Sequence, residues 1–274
     1  MTLFSSVVRF DKCEGRNRGG SKMQKSEFID SVEKIKELEE AANEGYARAQ
    51  FNLGMCYEQG KWVEADLEKA IFWYKKAAEQ GNLNACYIMG NRYYNGDGVE
   101  LDLEKAFENF KVAAKKGHII AQQFLGECYT FGQGVEQNLE EAAEWYLKAA
   151  MRGALEAQVN LGICYSQGLG VPQDVVEAVK WFNEAAEAGH PAGKMNLAIS
   201  YFEGEGVDVD KEKAVALLHE AAEYMADAQF LLAQCYENGE GAEKDLEKAR
   251  ALYQQAADSG IVEAKEWLEN QPAE

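Results

Sequence analysis

Three prolines and three histidines in 274 residues are the first scarcities of this chain. So few prolines leave long stretches free to run as helix, because each proline removes a hydrogen-bond donor and blocks the preceding turn. His118, His190 and His219 lie far apart, and no His or Cys grouping shows zinc spacing, so neither metal nor cofactor is expected. Positive charge is scarce as well. Against 28 Lys and Arg stand 47 Asp and Glu, a net charge of −19, which argues against a nucleic-acid partner because phosphate contacts need clustered cations. No apolar run approaches the roughly 18 residues of a membrane span. The first ten residues also lack the positive start and long apolar stretch of a secretion signal.

What the chain has instead is a period. Tyr57, Tyr93, Tyr129, Tyr165 and Tyr201 are spaced by 36 residues, and Tyr236 follows after 35. Around Tyr165 the unit reads Ala157-x-x-x-Leu161-Gly162-x-x-Tyr165-x-x-Gly168-x-Gly170-Val171, then Asp174-x-x-x-Ala178-x-x-Trp181-Phe182-x-x-Ala185-Ala186. A fixed period in this range means small units stacked side by side, each unable to bury its apolar face alone. Six full units fall at 45–80, 81–116, 117–152, 153–188, 189–223 and 224–259. A leading helix at 26–43 and a partial unit at 261–270 read as terminal caps, making 26–274 one solenoid. Residues 1–25 match no repeat position and are basic, with Arg9, Lys12, Arg16, Arg18, Lys22 and Lys25. A disordered tail is the expectation for them. A true start at Met23 and an organelle presequence are the other readings.

Within each unit the spacing predicts two helices. The first carries the Ala/Leu/Gly/Tyr pattern and stops at the first glycine of Gly-x-Gly, a residue able to take the left-handed conformation that closes a helix. The second starts at Asp66, Asp102, Asn138, Asp174, Asp210 or Asp245, side chains suited to capping an N-terminus. Gly54, Gly90, Gly126 and Gly162 on the first helix let the paired helix approach closely, which outweighs the roughly 1 kcal/mol a mid-helix glycine costs. The six cysteines are Cys13, Cys56, Cys86, Cys128, Cys164 and Cys235. Cys56, Cys128, Cys164 and Cys235 share one repeat position, so successive copies lie about 10 Å apart, too far for a disulfide. Buried free thiols and a reducing cytoplasm follow.

The order Ala-x-x-x-Leu-Gly-x-x-Tyr-x-x-Gly-x-Gly-Val-x-x-Asp-x-x-x-Ala-x-x-Trp-Tyr-x-x-Ala-Ala, at a period of 36, resembles the Sel-1-like repeat family, relatives of the tetratricopeptide repeats. The resemblance covers about residues 27 to 270. It implies an all-α fold, a right-handed αα-superhelix of helix-turn-helix units, and a scaffold or adaptor that gathers other proteins. The chain departs from the pattern at Trp62, which replaces a loop glycine, at Asn109, which replaces a tryptophan, and near Tyr224-Met225, where one residue is missing.

Helical phase then selects a face. Positions two before, two after and five after the core leucine lie opposite the stripe that meets the second helix, and the resemblance implies that they line the concave surface. Ten of these 18 positions are apolar or aromatic, more than a solvated face carries, and extended apolar surface marks binding sites. With Asn91 added, the candidate partner-binding residues are Phe51, Met55, Tyr87, Asn91, Tyr94, Val159, Ile163, Met195, Ile199, Phe202 and Phe230. Crowding between neighbouring first helices is the competing explanation of the same pattern. Tyr87, Asn91 and Tyr94 are the favoured anchors, since aromatics beside an amide combine contact area with directional hydrogen bonds.

Catalysis is not expected. The resemblance extends to cysteine-rich proteins classed as β-lactamases, and Ser31-Val32-Glu33-Lys34 matches the Ser-x-x-Lys of that chemistry. No Lys-Thr-Gly or Ser-Asp-Asn accompanies it. The Gly-x-Gly loops join two helices with no preceding strand, so they are not phosphate loops. The expected function is a non-catalytic scaffold that holds another protein or peptide in its concave groove. The alternative is a structural module that acts through its acidic outer face or by self-association.

Overall fold

A computed structural model describes residues 25–270; residues 1–24, and with them Cys13, lie outside the described residues. The described chain folds into fourteen helices with no strand. A leading helix α1 (Lys25–Asn43) precedes six hairpins. These are α2 (Ala47–Gln59) with α3 (Leu67–Glu79), α4 (Leu83–Asn95) with α5 (Leu103–Lys115), and α6 (Ile119–Phe131) with α7 (Leu139–Ala150). There follow α8 (Leu155–Gln167) with α9 (Val175–Glu187), α10 (Pro191–Glu203) with α11 (Lys211–Ala222), and α12 (Ala226–Asn238) with α13 (Leu246–Asp258). The short α14 (Val262–Glu269) closes the array. Each helix packs on the one before and the one after it, the contact pattern of a solenoid. No helix among the described residues is long and apolar enough to cross a membrane.

Local chemistry makes the hairpins. Every first helix of the six units ends on a glycine in the left-handed region, from Gly60 at φ 64° to Gly96 at φ 75°. Each of those glycines donates its N–H to a carbonyl four residues back. Every second helix opens on the Asp or Asn expected from the sequence, whose side chain accepts the N–H three residues on, as Asp66 does from Lys69 at 3.0 Å. The loop between is closed by one recurring backbone bond, from the capping residue to the carbonyl of the repeat tyrosine, such as Asp66 N to Tyr57 O at 2.9 Å.

Packing inside each hairpin depends on a ring seated over a missing side chain. A Cβ on Gly54, Gly90, Gly126 or Gly162 would come within 2.5–2.7 Å of the ring of Tyr74, Phe110, Tyr146 or Phe182. The glycine is therefore the floor of a slot for the aromatic residue of the second helix. In the last two units alanine takes its place, as Ala198 and Ala233, and both are fully buried.

Between hairpins the joint is a backbone contact and a side-chain clasp. The second glycine of the loop, Gly134 at φ 71°, lies so close to the start of α5 that a Cβ would stand 2.0 Å from Leu103 O. Trp62, at the matching position of the first loop, takes the same left-handed conformation at φ 67°. Gln50, Gln122 and Gln158 each donate an amide proton to the carbonyl of Ala42, Ala114 and Ala150, eight residues back at the end of the preceding helix. They satisfy acceptors that a helix C-terminus leaves open. Cys86 fills this position in the second unit and donates its thiol to Ala78 O at 3.5 Å. The missing residue near Tyr224 is absorbed in the turn: Tyr224 and Met225 both donate to Ala221 O at 3.0 Å. Helix α12 still packs on α11 through Ala214, Leu218 and Leu232.

Candidate functional site: the first-helix face

The eleven candidate residues sit on the first helices, and ten of them are half-buried; Val159 is buried, with 4% of its surface exposed. Eight of them rest on the core of their own or the following unit. Phe51 and Met55 pack on the Ala70, Ile71, Tyr74 and Met89 core, with the Phe51 ring 5.8 Å from that of Tyr74. Ile163 lies against Phe182 and Leu197, while Met195 and Phe202 lie against the α11–α12 core. Ile199 is half-buried on α10 between them. Phe230 meets the Tyr253 ring edge-on at 5.6 Å. Phe202 and Phe230 belong to successive cores, whereas Tyr87 and Tyr94 share one.

That shared centre is the densest aromatic grouping of the face. Phe110 of α5 and Phe124 of α6 stack at 5.0 Å and 11°. Tyr87 and Tyr94, both from α4, each approach Phe124 at 6.2 Å. Tyr87 also stacks on the His118 ring at 4.4 Å, and Tyr94 donates its hydroxyl to Gln133 Oε1 at 3.2 Å. Asn91 lies one turn from Tyr87 on α4, and its side-chain oxygen accepts from Asn95 Nδ2 at 3.3 Å. Burial holds both phenols above the usual tyrosine range, making them harder to ionise, and the Glu127 carboxylate adds to it. The tyrosines thus contribute to the joint between units two and three while keeping an open edge. Both rings pack on Phe110 and Phe124, the crowding that the sequence left open as the competing explanation, so truncating them is not neutral for folding.

Sequence reasoning passed over Glu127, which lies on the same face of α6. Its Oε1 accepts from Gln123 Nε2 at 3.0 Å. Desolvation pushes its carboxyl up to about 7, opposed by the Gln123 hydrogen bond and reinforced by Glu156. It lies one turn from Phe124, on which Tyr87 and Tyr94 pack, and its charge adds to the upward push on Tyr87, Tyr94 and Tyr146. The available signal was a charged residue in a row otherwise holding Met55, Asn91, Ile163, Ile199 and Gln234.

Several other polar groups of the first helices are paired within the protein. Tyr74 donates to Glu58 Oε2 at 2.7 Å, and Arg92 pairs with the same carboxylate. Glu237 accepts from Tyr253 at 2.7 Å and from Trp267 Nε1 at 2.8 Å. His118 Nδ1 accepts the Ala121 N–H, His190 faces Glu156, and His219 faces Tyr236. Among the described residues no three His, Cys, Asp or Glu side chains converge as a metal site.

The Sel1 repeat matches this chain six times, at 47–82, 83–118, 119–153, 155–190, 191–223 and 226–261. No curated protein matches it in sequence. Among solved structures, c5321, a protective antigen of uropathogenic Escherichia coli strains with an SLR fold, is 36% identical with a TM-score of 0.73. That alignment covers 84% of this chain and 50% of the antigen, so the chain spans about half the length of that relative. A Sel1 repeat protein from Oxalobacter formigenes is 30% identical with a TM-score of 0.72, over 85% of this chain and 97% of the other. Six matched repeats over most of the chain, on a backbone shared with these proteins, place it in a family: the chain belongs to the Sel1 repeat family.

Proposed function

We propose that this protein is a non-catalytic scaffold that holds a partner protein or peptide in a concave groove lined by its first helices. Sel1 solenoids commonly serve as protein-interaction scaffolds. The observation that carries the reading is the half-exposed aromatic centre of Tyr87 and Tyr94 beside Asn91. Rigid rings held by neighbours on one edge, with amides alongside, offer a partner contact area at little entropic cost. Phe51, Met55, Ile163, Met195, Ile199, Phe202 and Phe230 extend the surface along the array, whereas Val159 is buried and offers none of it. Buried free thiols at five positions fit work in a reducing cytoplasm.

Site-specific photocrosslinking in the source cells tests this. A benzophenone side chain is placed at Asn91 in one variant and at the exposed Lys148 of a second helix in another. A crosslinked partner from Asn91 and none from Lys148 is expected. Adducts from Lys148 alone, or from neither position, overturn the groove.

A further inference from the structure

Three carboxylates stand on the first-helix face, Glu58, Glu127 and Glu237, and the protein neutralises them unevenly. Near the N-terminal end Glu58 holds the Arg92 guanidinium and the Tyr74 hydroxyl. Near the C-terminal end Glu237 takes two donors, Tyr253 and Trp267. In the middle Glu127 receives one neutral donor, Gln123, and no cation among the described residues reaches it. The charged and titratable groups around it are Tyr87 and Tyr94 from α4, Tyr146 from α7, Glu156 from α8 and Cys128 beside it. None of these is positive, and the net charge of −19 adds a negative field. A partly desolvated carboxylate with no cation is unfavourable in the free protein, and an arriving cation relieves it.

The first two units show what such a cation does here. The Arg92 guanidinium pairs with Glu58 and lies 6.0 Å from the Tyr74 ring centre, supported by carboxylate and ring together. Unit three carries Thr130 at the Glu58 position and unit four carries Cys164 at the Arg92 position, so beside Glu127, one helical turn before Thr130, the chain supplies no guanidinium. We infer that Glu127 anchors an arginine or lysine side chain of the peptide that occupies the groove, with the cation seated on the carboxylate one turn from Phe124, the ring on which Tyr87 and Tyr94 pack. This rests on the groove reading and narrows its partner to a segment with a basic residue at that point. Asn91 and the two tyrosines of α4 then contact the flanking residues of the same peptide.

The test selects short random peptides displayed on phage against the full chain and sorts them by dependence on the groove. Groove-dependent peptides are those that lose binding to an Asn91→Trp variant with an unchanged melt. Their Arg or Lys residues are then replaced by citrulline or glutamine and re-measured on wild-type and Glu127→Gln protein. Expected is a roughly tenfold loss from either change and little further loss from both together, the signature of one pairwise contact. Affinity for an arginine peptide should rise from pH 6 to pH 8 in the wild type, as Glu127 ionises, and stay level in Glu127→Gln. Groove-dependent peptides without this coupling overturn the inference and leave the groove standing. Finding no peptide that depends on Asn91 overturns both.

Discussion

Tyr74 donates its hydroxyl proton to the Glu58 carboxylate at 2.7 Å, across sixteen residues of chain and from one helix of its hairpin to the other. The relation recurs between Tyr253 and Glu237, and between Tyr146 and Thr130 at 3.0 Å. In the other three units the second helix carries Phe110, Phe182 or Leu218, and the facing positions are Tyr94, Ser166 and Phe202. A hydroxyl therefore appears on the second helix only where the first offers it an oxygen that needs a partner. The ring fills the slot over the glycine in either case, and the hydroxyl spends itself on the first-helix face.

Tyr253→Phe should keep the packing and lose a hydrogen bond to a charged acceptor, a cost of about 1.5–3 kcal/mol. Tyr74→Phe should cost less, because Arg92 still compensates Glu58. Urea denaturation of the two variants measures the difference. Equal or negligible losses would show that the hydroxyls are solvated and contribute nothing.

The two glycines of one loop should respond differently to alanine. Gly132 is left-handed at φ 67°, yet its nearest neighbours to an added Cβ are at an ordinary 3.5 Å. Gly132→Ala should therefore cost about 1–2 kcal/mol, the conformational penalty alone. Gly134→Ala meets Leu103 O at 2.0 Å, a backbone atom that cannot rotate away. It should cost clearly more and loosen the joint between the second and third hairpins, visible as faster amide exchange in α5 and α6. Matching melts for the two variants would refute the contact.

Glu127 makes stability fall as pH rises. Its folded-state carboxyl is raised to about 7, so the folded protein holds this proton more tightly than the unfolded chain does. The relative stabilisation is complete below about pH 4.3, the ordinary glutamate value, and is lost as pH rises through 7. Glu127→Gln should therefore melt above the wild type at pH 8, by on the order of 1 kcal/mol after screening by groove water, with the gap closing toward pH 4. Carboxyl NMR gives the titration directly; a midpoint near the usual glutamate range would count against it.

Thiol reactivity should be low throughout the solenoid. Cys56, Cys86, Cys128, Cys164 and Cys235 are buried and free. Burial pushes Cys128 up to about 12, and Cys164 and Cys235 up to about 11. Since the thiolate is the reactive form, a Cys13→Ser protein should show no fast-reacting thiol at pH 8 until it is unfolded. Prompt labelling of the native variant would contradict this burial.

The helices and the residues that start and stop them are legible in the residues alone. Those features rest on bonds between residues close in the chain: Gly60 closes α2 four residues from its acceptor, and Asp66 caps α3 three residues from its donor. The repeat multiplies each such signal six times, so Trp62 or a missing residue near Tyr224 cannot hide it. Only the tertiary structure decided what the first-helix face is made of. Tyr87 meets His118, Gly134 meets Leu103, and burial pushes the Glu127 carboxyl up one turn from the Phe124 ring on which Tyr87 and Tyr94 pack. Each of those relations joins different helices, and desolvation depends on everything packed around a group at once. Periodicity records which side of one helix a residue occupies; it holds no record of how closely the next helix approaches.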